Sequence, residues 1–332
     1  MTTYYETYGQ KVQYLASDPP APEIGQVWYN STSATLKVRS FVTVNAWASA
    51  GGLNTVRASL TAAGTQTATL AFGGYSPSPT WMTSSESYNG SVWAATPSLN
   101  TGRNALAGAG TQTAALAFSG YGGGYLAATE SYNGTWTTNP TGLNTARSSG
   151  GGGGTQTSAI MLSGYDGSSN TPATETYNGT SWTSNPTGVN TALRGLAAIA
   201  TSASSALKFG GWGPPTSSAT ELWNGTSWTT NPTGLNTARS GLGGAGTQTL
   251  AIAFGGDLGP GAGLTATELW NGSTWTTSPT SLSFARYNLA GAGTQTAGLA
   301  IGGVRDALSP QYRGECEAWT GTVAQTNTVT AT

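Results

Sequence analysis

The tetrapeptide GTQT begins at Gly64, Gly110, Gly154, Gly246 and Gly293, and a degenerate ATSA at Ala200 fills the one gap. Successive spacings are 46, 44, 46, 46 and 47 residues. A chain that repeats at this period buries its apolar faces between neighbouring copies rather than in one ordinary core. Each copy reads, with variation, LNTAR, a Gly/Ala stretch, GTQT, an apolar run ending FGG, a variable loop, TE-x-YNG-T-W and TTNPTG. Six units follow, at about 53–98, 99–142, 143–188, 189–234, 235–281 and 282–326.

The chemistry of one unit is β throughout. Leu250, Ile252 and Phe254 alternate with Ala251 and Ala253, the two-residue period of a strand with one bulky and one small apolar face. Such a strand has to be covered on both sides. Asn-Gly pairs at Asn89, Asn133, Asn178, Asn224 and Asn271 lie between short runs such as ATELW and TSWTT and predict tight hairpins. Pro97, Pro140, Pro186, Pro232 and Pro279 end the Trp strand, because proline donates nothing to a ladder. About four short strands fit in each unit.

An apolar run ending in a double glycine, as in Ala71-Phe72-Gly73-Gly74, followed by an aromatic and a Trp, as in Tyr88 and Trp93, resembles the kelch repeat. The resemblance departs at Ser119 and Ser163, which replace the first glycine, and in the last unit, where Trp319-Thr320-Gly321 replaces YNG. It implies an all-β fold: a six-bladed kelch-like β-propeller of four-stranded blades over residues 41–332. The last unit lacks its final Trp, whereas Trp47 precedes the first unit, so Phe41 to Ala48 is expected to complete the sixth blade. The rival closing strand is Val323 to Val329.

Composition narrows the function. The 332 residues include no His, one Cys and only 8% charged side chains, with a formal charge of −1. Without His there is no imidazole base, catalytic triad or His-bound metal, including the copper site of galactose-oxidase-like kelch proteins. The lone Cys316 allows no intramolecular disulfide or CxxC metal site. The charge balance argues against nucleic acid, and no apolar run reaches the roughly 20 residues of a membrane span. No cofactor is expected, and no enzyme: the acids outside the repeat pattern, Asp166, Asp257, Asp306 and Glu315, have no evident partners for glycan cleavage.

The few charges recur once per unit. Arg57, Arg103, Arg147, Arg194, Arg239 and Arg286 form one set, and Glu86, Glu130, Glu175, Glu221, Glu268 and Glu317 the other. The expectation is six half-buried Arg–Glu pairs. The competing reading is a sialidase-like arginine ring, but no Asp-box accompanies it. The Asn-Gly-Ser/Thr triplets match the glycosylation pattern, yet the hairpin accounts for each of them.

What differs between units is the loop of nine to 13 residues between the double glycine and the Glu. These loops carry Tyr75, Trp81, Tyr121, Tyr125, Tyr165, Trp212 and Tyr312, rigid rings suited to stacking on sugars or anchoring a protein partner. A rigid scaffold presenting variable loops is how binding surfaces are built.

Residues 1–40 lie outside the repeat. A stiff Asp18-Pro19-Pro20-Ala21-Pro22 linker precedes two alternating runs, Glu23–Asn30 and Ala34–Val38, that read as a hairpin. The G-x-x-W-Y-N…L-x-V pattern here resembles an element of tail-fibre and other virion proteins of tailed bacteriophages, particularly cyanophages. That resemblance implies a docking segment, with Trp28, Tyr29 and Asn30 as its contact residues. It further implies a non-enzymatic virion protein made in the host cytoplasm without a signal peptide and oligomeric within the particle. Its partners are then other virion proteins and a host surface glycan, as a tail-associated or decoration protein; a receptor-binding lectin is the alternative.

Overall fold

The computed structural model describes residues 12–42, 45–76, 78, 80–259, 263–305 and 311–329. Among these no helix occurs, and all regular structure lies in seven four-stranded sheets. Contacts divide the chain into two compact units, one spanning Ala46–Trp319 and the other drawn from Met1–Asn45 and Thr320–Thr332. Six sheets belong to the larger unit, and the seventh, outside the repeat, to the smaller.

Sheet two shows the pattern of the larger unit: Ala107–Gly110, Ala115–Phe118, Thr129–Tyr132 and Trp136–Thr138 run antiparallel, each beside the next. Sheets one, three, four and five begin at Thr61, Gly151, Ala197 and Gly243 and repeat that order. Sheet six has Ala290–Gly293, Ala297–Val304 and Tyr312–Thr320, and takes its fourth strand, Ala46–Ala50, from the opposite end of the sequence. The expected bounds shift: Phe41 and Val42 end another strand, and the rival Val323–Val329 pairs with that strand instead. Trp47 fixes the position of Ala46–Ala50. Its Nε1 donates to Thr267 Oγ1 at 3.0 Å, as Trp136, Trp182, Trp228 and Trp275 donate to Ser85, Thr129, Thr174 and Thr220.

These five strand-four Trp side chains therefore reach into the sheet before their own, whereas Trp93 donates to the Gly51 carbonyl. Four of the five meet the Phe that ends strand two there: Phe72 with Trp136, Phe118 with Trp182, Phe209 with Trp275 and Phe254 with Trp47, at centroid distances of 4.8–5.0 Å. The same Phe sets a rule for the next inner strand. A Cβ at Gly108, Gly152 or Gly244 would come within 2.7–2.8 Å of the ring of Phe72, Phe118 or Phe209. Where the strand-two residue is Leu162 or Ile301, the matching inner position is Ala198 or Ala62. Ala62 packs on a core that joins Leu60 and Ala71 of sheet one to Leu299 and Ile301 of sheet six.

Main-chain bonds follow the same cycle. The N–H of Ser59 donates to Asn288, Asn288 to Gly241, Gly241 to Gly195, Gly195 to Ser149, Ser149 to Ala105 and Ala105 back to Ser59. All six residues have φ between 48° and 60°, a conformation that suits Gly195 and Gly241, is tolerated by Asn288 and strains Ser59, Ala105 and Ser149. The Gln of GTQT adds a second tie, which the sequence reading missed. Gln112 Nε2 donates to the Thr69 and Tyr88 carbonyls of the preceding sheet, and Gln66 reaches Gly298 and Trp319. The arrangement is propeller-like.

Two local expectations are refined. Leu250 precedes its strand and is 51% exposed, whereas Ala251, Ile252, Ala253 and Phe254 are fully buried. The Asn-Gly connections are three- or four-residue loops, not two-residue turns. In the four-residue loops Asn Oδ1 accepts main-chain N–H groups two and three residues on, as Asn178 does from Thr180 and Ser181.

In the smaller unit, Val27–Asn30 and Thr35–Val42 form the expected hairpin, with Asn30 Oδ1 accepting from Thr32 and Ser33. Gln13–Leu15 adds in parallel on one side, and Val323–Val329 adds antiparallel on the other through seven paired residues. That pairing is why the C-terminal strand joins this unit rather than extending the 41–332 repeat region.

Candidate functional site at the loop rim

The Arg and Glu markers come first, because they separate structure from surface. Arg57–Glu86, Arg239–Glu268 and Arg286–Glu317 pair at 3.2, 3.1 and 2.9 Å, and Arg103–Glu130 and Arg147–Glu175 are also in contact. All ten side chains are buried, more completely than the half-burial expected. Burial pushes each of these guanidinium groups below its ordinary pKa, and the facing carboxylate opposes that shift. Each carboxylate also holds the loop before strand one: Glu130 accepts from Asn100 N at 2.7 Å, Glu175 from Asn144 N at 2.6 Å and Glu317 from Ser283 N at 2.8 Å. These charges are internal fasteners and not an anion-binding ring.

Unit four corrects the sixth pair. Arg194 does not meet Glu221. The reading TALRGL against TARSGL places Leu193, not Arg194, opposite Arg239 two residues before the hydrogen-bonded cycle, and Leu193 is 2% exposed. The charge comes instead from Lys208 in the neighbouring strand, directly across from Glu221. Lys208 Nζ donates to Glu221 Oε1 at 2.7 Å and to the Thr191 carbonyl at 2.8 Å. The signal was in the sequence: Arg147 to Arg194 is 47 residues and Arg194 to Arg239 is 45, an uneven step.

Shifted by one residue, Arg194 lies at the position held elsewhere by Ala58, Asn104, Ser148, Ser240 and Tyr287, each bridged to the first residue of its variable loop. Its guanidinium carbon lies 4.6 Å from the Tyr165 ring centre and 4.3 Å from that of Trp212. Among the described residues no hydrogen bond or ion pair to that guanidinium occurs.

Arg194 borders a cavity of about 500 Å³ and is the one charged residue among those lining it. The six residues of the hydrogen-bonded cycle form the floor, and Tyr121, Tyr125 and Tyr165 form one wall. The rings continue as an arc: Trp81 to Tyr121 at 6.0 Å, Tyr121 to Tyr125 at 5.2 Å and Tyr125 to Tyr165 at 5.7 Å. Asn104 and Ser148 add neutral polar groups. Trp81 and Trp212 flank the arc without lining the cavity, and Tyr75 and Tyr312 make a separate pair at 5.4 Å.

The acidic loop residues have structural roles. Asp166 accepts from the Ser168 and Ser169 N–H groups, which hold its carboxyl below the ordinary value. Asp257 accepts from Ser240 Oγ, and Glu315 lies 3.9 Å from Arg313. Asp306 falls outside the described residues. Among the described residues no cluster of three or more His, Cys, Asp or Glu side chains could hold a metal ion.

The expected docking residues are arranged otherwise. Trp28 is fully buried and Asn30 6% exposed, both donating to Asp18 Oδ1 at 3.0 and 2.7 Å. Their indole and side-chain amide N–H groups are taken up by the Asp18 carboxylate within this unit, so neither side chain is presented as a contact residue. Only Tyr29, stacked on the exposed Tyr14 at 5.1 Å, is partly open.

No protein-family model matches this chain, and no curated protein matches it.

Proposed function

We propose that the repeat unit is a closed, six-bladed, kelch-like propeller that acts as a non-enzymatic attachment module, with the aromatic cavity as its binding site. The observation behind this reading is the contrast between floor and wall. The floor is a cycle of six main-chain hydrogen bonds backed by the cross-sheet Gln and Trp ties. The wall is built from loops with no common sequence that nonetheless converge their rings. Fixed scaffold plus variable aromatic rim is the design of a recognition surface, and aromatic faces stack well on sugar rings.

The resemblance of the Glu23–Val38 region to a tailed-phage virion element supports placing this module on a particle, exposed to host surface glycans. Mass spectrometry of purified particles tests the location: finding the chain in stoichiometric amount is expected, and its absence overturns the virion assignment. A glycan array tests attachment: binding that disappears in a Tyr125→Ala/Tyr165→Ala variant is expected, and failure to bind any glycan overturns it.

A further inference from the structure

The geometry points to a single carboxylate-bearing sugar residue, a uronic acid or a related acidic sugar, as the unit held in this cavity, with Arg194 reading its carboxylate. The inference rests on the attachment reading and specifies its ligand.

Three observations lead to it. First, the sequence supplies an arginine to the wall only in unit four, where the structural charge has been moved to Lys208 and the position opposite the other arginines is Leu193. Arg194 is thus released from the role that occupies Arg57, Arg103, Arg147, Arg239 and Arg286. Second, its guanidinium is held between the Tyr165 and Trp212 rings. Stacking of this kind fixes the plane of the fork but leaves its N–H donors, which lie in that plane, to an incoming acceptor. A planar carboxylate is the acceptor that matches two parallel donors. Third, the remainder of the lining is neutral: Tyr121 and Tyr125 bring aromatic rings, and Asn104 and Ser148 bring an amide and a hydroxyl side chain. Aromatic rings suit the C–H side of a pyranose, and neutral polar groups suit its hydroxyls.

The lining also disfavours other anions. A polyphosphate or nucleic acid needs several cations along its backbone, and here there is one. A volume of about 500 Å³ lies in the range of small-ligand pockets and is unsuited to a folded partner.

The test is titration calorimetry of the full chain with tetragalacturonate, with its carboxyl-reduced tetragalactose counterpart and with acetate. The expected result is tighter binding of tetragalacturonate than of the reduced sugar by about tenfold to a hundredfold, the range of a charge-assisted hydrogen-bond pair. Acetate should bind far more weakly than either. Arg194→Gln should erase the preference and keep the weaker neutral binding. Among the described residues no hydrogen bond or ion pair to the Arg194 guanidinium occurs, so Arg194→Gln loses only its ring stacking and a single cooperative unfolding transition verifies that it folds; Arg194→Lys, which retains charge without the fork, should recover only part of the preference. Equal affinity for the acidic and reduced sugars overturns the acidic-sugar inference while leaving attachment standing. Acetate binding as tightly as the uronate overturns the sugar component. Absence of binding by tetragalacturonate and by the reduced sugar overturns the acidic-sugar inference, and the glycan array separately decides whether attachment stands.

Discussion

Units four and five build the same four-stranded sheet with the same buried carboxylate, but they neutralise it from different directions. In unit five Arg239 reaches Glu268 from the loop before strand one. In unit four Lys208 reaches Glu221 from across the ladder, and the loop position is filled by Leu193. A buried carboxylate tolerates either donor so long as one is present, because the cost of leaving it unpaired exceeds the difference between them. Unit four also lacks the Gln tie: at the ATSA turn Ala203 N donates to Ser158 Oγ instead. The unit that departs most from the repeat in its fasteners is the one that places a free cation at the cavity.

The comparison breaks most readily at the buried charge. Lys208→Ala should cost about 3–5 kcal/mol by leaving Glu221 uncompensated, read from denaturant unfolding. Adding Leu193→Arg to that variant should recover most of the loss by recreating the unit-five arrangement. If the double variant is no more stable than the single one, the two sources of charge are not equivalent.

Next in size is the Phe–Gly rule. Gly152→Ala should cost about 1–3 kcal/mol through overpacking on Phe118, and Phe118→Leu in the same chain should reduce that cost, since Leu162 already coexists with Ala198. Simple addition of the two effects would rule out the contact as the cause. A smaller effect belongs to the Gln tie. Gln112→Ala removes two bonds and should cost about 1–2 kcal/mol, whereas Ser202→Ala in unit four should cost less in the same unfolding measurement.

The smallest effect concerns the other unit. Hydrogen bonds from Lys37, Asn30 and Trp28 lower Asp18 from 3.8 to about 2. A carboxylate with a lowered folded-state pKa contributes stability above its unfolded value and loses it as pH falls through the folded one. The NMR resonance of the Trp28 indole N–H, which donates to Asp18, should therefore shift in a full-chain titration between pH 3.8 and about 2, and Asp18→Asn should remove that transition.

Much of this was legible in the residues. The repeat phase, the hairpin at each Asn-Gly, the strand-ending prolines and the Arg–Glu pairing in five of six units are local or periodic, so the sequence displays them directly. The Gln tie was equally periodic, yet its partners are carbonyls about 24 and 43 residues earlier, and main-chain acceptors have no sequence signature. The burial of Trp28 and Asn30 was not legible, because an aromatic motif gives no sign of an Asp18 carboxylate ten and 12 residues upstream that accepts from both. Arg194 was placed by residue type when the uneven spacing already put Leu193 in its position.

By itself the sequence determined an all-β chain of six like units, because period, alternation and turn chemistry act within a few residues. Tertiary structure decided which strand completes the sixth sheet, which cation faces Glu221 and which loops share a cavity. Those outcomes depend on groups brought together from distant parts of the chain, where the cost of an unpaired buried charge or an overlapping ring, and not local preference, selects the partner.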